Sequence, residues 1–461
     1  MYRSLLASTA VLALAAPAAA ENIATAITQP VRTSTVKNGA PDSITITSAG
    51  SVRPTSGTAV TMDSNHAVTN QGTIAIGNSN GAIGILATAG TSGDIVNTAA
   101  ITIDESYTPT DTDNDGDLDG PFALGSNRFG IRTDGLHTGK ITNSGTITVE
   151  GNDSAGISLG GLLDGAFTQD GVVTVTGDRS VGIETGAVSG NVRLAGTVSA
   201  RGQGATAARF NGDIGGALVV QGAIGATGYR ATTAPANTAN LDADDLLQGG
   251  SAVVVEGNVA GGIVFAMPPK DNNPNDADED KDGIEDAKEG NATVTSFGAA
   301  PAVVIGATDR AISIGPVAGT STGFGLLIDG TISGSGVYSG VDGNGLLIGG
   351  RGGAVTIVNG MAVAGTVTAA SSNANATALR LGSGAVVPEV RVSGTVGATT
   401  GNSASALATA LRIDAGASVQ TLRNSGTIKA VTSSTSGSAT AIVDASGGLT
   451  LIENSGTISA T

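Results

Sequence analysis

With 461 residues, 71 of them glycine and only 2% aromatic, the chain does not have the composition of ordinary compact domains. A net charge of −17 with 22 basic residues would repel a phosphate backbone or an anionic leaflet, which excludes nucleic acid as a partner. Hydrophobic residues still reach 40%, too apolar for a solvated coil, and the absence of cysteine rules out a disulfide framework.

Residues 1–20 carry Arg3, an apolar run from Leu5 to Leu14, and Ala18, Ala19 and Ala20 after Pro17. This pattern predicts a secretory signal peptide cleaved before Glu21, because the run is far shorter than the roughly 20 residues that span a bilayer. Residues 21–60 are expected to form an irregular N-terminal cap, and 61–461 a repeat structure.

The repeat opens with Gly72-Thr73-Ile74 and a weaker copy at Ala100-Ile101. An acidic insertion, 108–122, follows. It holds Asp111, Asp113, Asp115, Gly116 and Asp119, the oxygen spacing of a calcium loop, with the carbonyl of Asp117 as a further ligand. Phe122 stands where such a loop ends in glutamate, so the bidentate ligand is missing.

Four regular copies come next, opening at Gly145, Gly171, Gly196 and Gly222 with spacings of 26, 25 and 26 residues. A second short run recurs about ten residues into each copy, as in Ser154–Gly160 and Ser180–Gly186, and a third precedes the next glycine. The runs alternate apolar and small polar positions, favour Val, Ile, Thr and Leu, and are separated by Gly, Asn, Asp and Ser clusters, so they are strands. Asp164, Asp178, Glu184 and Arg209 fall in this stretch. They are candidates for the carboxylate and cation set of a polysaccharide-acting β-helix enzyme, or a solvated outer face.

The second acidic insertion, 268–290, contains Asp278, Asp280, Asp282, Gly283, Asp286 and Glu289, a fuller calcium-loop match. Ile284 would lend its carbonyl and Glu289 both carboxylate oxygens. No paired apolar helices flank either loop, so bound Ca2+ would be structural; the alternative is a pair of solvated acidic loops.

Gly330-Thr331-Ile332 resumes the repeat, followed by copies at Gly365, Gly394, Gly426 and Gly456 with spacings of 29, 32 and 30 residues. In Gly426–Ala430, Ile428 and Ala430 should point inward and Thr427 and Lys429 outward. Three strands per 25–32 residues cannot bury one face alone. Stacked coils can, so the expected fold is all-β, a right-handed parallel β-helix of about a dozen coils, with glycines at its positive-φ corners. Asn70, Asn97, Asn143, Asn424 and Asn454, each just before the glycine element, should stack into an amide ladder. The G-x-S-x-G matches at Gly77, Gly156 and Gly319 open no helix, and neither His66 nor His137 has an evident partner, so serine hydrolysis is not expected.

The recurring Asn-Ser-Gly-Thr-Ile of 143–147, 424–428 and 454–458, with the leader and the missing cysteine, resembles an autotransporter passenger domain across nearly all of the mature length. That resemblance implies display at the outer membrane and a structural or adhesive role toward a cell-surface or matrix ligand. It also implies an outer-membrane translocator barrel as partner, although Thr461 is reached without barrel strands. The alternative is a secreted β-helix lyase or glycosidase.

Overall fold

The computed structural model describes residues 20–461 except 115, 117, 236, 239, 269–271, 274, 280–284, 287 and 288, and the described residues contain no α-helix. The expected leader, residues 1–20, therefore falls almost wholly outside them. Three parallel sheets run the length of the molecule. The first has fourteen strands, from Glu21–Ile23 to Leu451–Asn454. The second has fourteen, from Ala26–Ile27 to Thr457–Ala460, and the third thirteen, from Val31–Arg32 to Ser438–Asp444. Each coil but the last contributes one strand to each sheet and pairs with its neighbouring coils, which makes a parallel β-helix. At about 4.8 Å per coil the rod is roughly 60 Å long.

Alternation fixes which side chains fill it. In the second sheet Ile101, Ile147, Val173, Val198 and Ile224 are register partners and buried, while the partnered Thr102, Thr148, Thr174 and Ser199 face outward. Ile428 and Ala430 are buried and Lys429 exposed, as their alternation requires. The narrow interior admits Phe167, Phe210 and Phe265 at full burial beside many Val, Ile and Ala.

In most of the coils the third run divides in two. Leu163–Asp164 is followed by Phe167–Gln169, and only the latter joins the first sheet. The former belongs to a short fourth ladder, Thr91–Ser92, His137–Thr138 and Leu163–Asp164. Single bridges through Val188, Ile214 and Val259 carry that ladder on to Ile312–Ile314.

Residues 21–60, expected as an irregular cap, already form coils. Glu21–Ile23 pairs with Ile44–Ile46, Ala26–Ile27 with Ser51–Val52, and Val31–Arg32 with Thr58–Met62. Apart from Thr58–Met62, their strands have two or three residues, too short to show as periodic alternation.

The repeat glycine is needed for a reason other than a positive-φ corner. A Cβ on Gly171 would lie 2.0 Å from the carbonyl oxygen of Gly145, and one on Gly196 would lie 1.9 Å from that of Gly171. Neither residue has positive φ. Glycine is required because successive coils touch backbone to backbone there. The positive-φ corner is a separate one, at Gly177 and Gly202 (φ 147° and 146°).

The amide ladder forms. Asn70 Nδ2 donates to Asn97 Oδ1 (2.7 Å), Asn97 to Asn143 (2.6 Å) and Asn143 to Gln169 Oε1 (2.8 Å), all buried. The register column continues through Leu194, Val220, Phe265, Ile328, Val363 and Val392 before Asn424 donates to Asn454 (2.7 Å). Where amides meet apolar neighbours, Gln169 Nε2 and Asn424 Oδ1 have no partner.

Candidate binding site between two insertions

Two long excursions leave the corner between the second and third sheets. One follows the strand Ala100–Asp104 and the other Ala223–Thr227, four coils further along. The first is closed at its neck by a buried ion pair, Arg128 Nη1 to Glu105 Oε2 at 2.8 Å, with side chains 2% and 7% exposed. Arg128 also donates to the carbonyls of Ser79 and Glu150, and Glu105 accepts the amides of Leu124 and Gly125. Burial pushes the Glu105 carboxyl up, but those amides and the Arg128 guanidinium outweigh it and hold it below the usual glutamate range.

The second excursion is anchored by aromatic packing. Tyr229 meets Tyr338 edge to face, with ring centroids 4.7 Å apart. The Tyr338 hydroxyl donates to the Ala231 carbonyl at 2.9 Å. Burial raises the Tyr229 phenol.

The two excursions touch. Arg230 stacks over the Phe122 ring at 4.8 Å, donates to the Gly120 carbonyl and pairs with Asp244 at 3.1 Å. The Gly120 amide donates to Asp244 Oδ2 at 2.7 Å.

At this junction Asp111, Asp113 and Asp119 bring carboxylate oxygens within 4.8 Å of one another, and Asp119 does the same with Asp242 and Asp244. Asp119 is the shared member. Hydrogen bonds from the Thr112 side chain and amide hold its carboxyl low. The neighbouring Asp244 carboxyl pushes Asp242 up, as expected of two carboxyls sharing a proton. These hard oxygen donors suit Ca2+ in kind and spacing. Asp115 and Asp117 lie outside the described residues.

Asp242 and Asp244 were not legible as ligands. The only sequence signal was the acidic run Leu241–Leu246 inside the break of period after Gly222.

In the fuller calcium motif Asp280, Asp282 and Ile284 lie outside the described residues. Of the rest, the Asp286 amide donates to the Ala277 carbonyl, Asp286 Oδ1 accepts the Glu279 amide, and Glu289 Oε1 accepts from Gln221 Nε2 on the rod. Glu289 thus ties the end of the insertion to the first sheet.

Beside the acidic junction the excursions wall a cavity of about 610 Å³. Its floor is the ends of three second-sheet strands, at Glu150, Thr176 and Arg201, and its walls include Tyr107, Phe122 and Tyr338. Of the chain's four tyrosines, two line this cavity and Tyr229 packs behind one of them.

Elsewhere, Glu184 and Arg209 are register neighbours on the outer face of the third sheet, in a shallow groove with Arg132 and Arg179. Asp164 lies on the fourth ladder and Asp178 Oδ1 accepts the Gln203 amide, so neither joins that pair. Both histidines do have partners. His66 Nδ1 lies 3.0 Å from Ser64 Oγ, while buried His137 bonds Thr91 Oγ1 and the Gly93 carbonyl. Neither contact involves Ser79, Ser158 or Ser321, the serines of the G-x-S-x-G matches.

Fold and site together define a parallel β-helical rod carrying a walled cavity on one corner. Comparison with protein families, curated proteins and solved structures finds no match.

Proposed function

We propose that this chain is an exported, surface-displayed β-helical protein, similar to autotransporter passenger domains, with a structural and adhesive role toward a cell-surface or matrix ligand. The observation that carries the reading is the outward row of the second sheet, where Thr102, Thr148, Thr174 and Ser199 and, beyond the single interruption at Gly225, Thr295, Ser333 and Thr368 share one register column. A regular hydroxyl face offers many weak, additive hydrogen bonds, as multivalent contact requires. The pattern of residues 1–20 supports export, and passage through a translocator barrel suits a chain without cysteine. Calcium, in this reading, is a structural ion that fixes the first excursion to the second through Asp119.

Residues 21–461, immobilised on beads, should adhere to cells or extracellular matrix. Replacing Thr148, Thr174, Thr295 and Thr368 with lysine should reduce adherence while leaving the β-sheet circular dichroism unchanged. Failure of the native rod to adhere to any surface tested would remove the adhesive role.

A secreted polysaccharide-acting enzyme is the second reading, favoured by the adjacent Glu184 and Arg209. Release of sugar ends from pectin or alginate, abolished by Glu184→Gln, would establish it instead.

A further inference from the structure

We infer that the cavity between the two excursions is a binding site for a neutral saccharide. The inference supplies a ligand class to the adhesive reading and rests on that reading only for the setting in which the sugar is met.

The cavity's position makes it a site rather than a gap between loops. Its floor is regular sheet, Glu150, Thr176 and Arg201 at the ends of three neighbouring strands, and its walls are pinned by the Glu105–Arg128 pair and the Tyr229–Tyr338 contact. A volume of about 610 Å³ is within the range of small-molecule sites. In a chain that is 2% aromatic, Tyr107, Phe122 and Tyr338 all border it.

The polar groups narrow the ligand. Arg201 and Arg230 can only donate. Glu150 and Asp245, in the same wall, accept when ionised. An anionic ligand would meet two carboxylates, and a cationic one would meet two guanidiniums. A neutral polyol satisfies both, because each hydroxyl donates and accepts, while the C–H face of a pyranose covers an aromatic ring.

A peptide fits less well. The floor strands Thr146–Glu150, Val172–Thr176 and Thr197–Arg201 are paired on both sides, so no free edge is left for strand addition. A nucleotide is disfavoured by the net charge of −17.

The test is direct binding of a panel of neutral mono-, di- and trisaccharides to residues 21–461, read by saturation-transfer NMR and calorimetry. At least one saccharide should bind, and Arg201→Ala, on an exposed position, should weaken it about 10-fold or more. Tyr107→Ala should weaken it as well. Arg53→Ala, at an exposed position near the start of the rod, should leave affinity unchanged, and circular dichroism should be native for all three. No binding across the panel, or binding indifferent to both Arg201→Ala and Tyr107→Ala, would overturn the inference. Preferential filling by an apolar dye would overturn it too. Cell adherence without saccharide binding would remove this site and leave the adhesive reading standing. Saccharide binding without adherence would do the reverse.

Discussion

At Gly171 the nearest obstacle to a side chain is the carbonyl oxygen of Gly145, 2.0 Å from where a Cβ would sit. Gly397 lies in the same sheet with nothing closer than 3.7 Å. Gly171→Ala should therefore push two coils apart and cost about 1–3 kcal/mol or more, whereas Gly397→Ala should be close to neutral. Amide hydrogen exchange across 141–200 and 390–432 compares them, and equal protection in both variants would refute the steric account. Asn97 is bound on both sides in the amide column, so Asn97→Ala strands the Asn70 donor and the Asn143 acceptor. Each orphaned group costs about 1–3 kcal/mol. A lowered denaturation midpoint measures that loss.

His137 gives a pH signature. Burial lowers its pKa, so the folded state resists the proton that the unfolded chain accepts. Its contribution to stability is complete above about pH 6.5 and is lost as pH falls from there toward the lowered folded value. Melting temperatures of the native chain and of His137→Gln, compared between pH 7.5 and pH 5, should show the smaller decline in the variant.

At the scale of the element, the first excursion depends on its neck. Arg128→Ala would leave Glu105 charged and buried, at a cost of about 3–5 kcal/mol, and the excursion from 105 to 128 should open while the coils persist. Limited proteolysis should cut there first, and the paired change Glu105→Gln with Arg128→Met should restore much of the resistance. The junction of the two excursions is the place where a cation would act. With millimolar calcium the native chain should gain protection at both 105–128 and 228–252, since an ion bound only to the folded form stabilises it. Asp119→Asn, removing the shared carboxylate, should abolish that gain at both. Persistence of the gain in Asp119→Asn would assign calcium elsewhere, the 278–289 loop being the candidate.

For the molecule as a whole, the strands of each coil pair only with those of adjacent coils, so the rod is a stack in which an excursion can grow from one corner without disturbing the sheets. Seventy residues separate Ala223 from its register partner Thr293, yet the pairing resumes in phase. The two excursions meet because four coils, roughly 19 Å at about 4.8 Å each, are a distance that loops of their length can span.

That geometry marks what could be read from the chain alone. The coil, its inward and outward positions and the amide column follow from local alternation and a fixed period, which stacking converts directly into register. The reason for the repeat glycine was not legible, because the carbonyl it must clear belongs to the previous coil. The first coils were hidden because all their strands but Thr58–Met62 have two or three residues. Asp242 and Asp244 lie more than a hundred residues from Asp119 and belong to no repeat, so no spacing joins them. Periodic burial is a local property, so the rod follows from the order of residues. Which excursions share a corner is settled by the stacked coils, since it depends on how many lie between them and where each leaves the sheet.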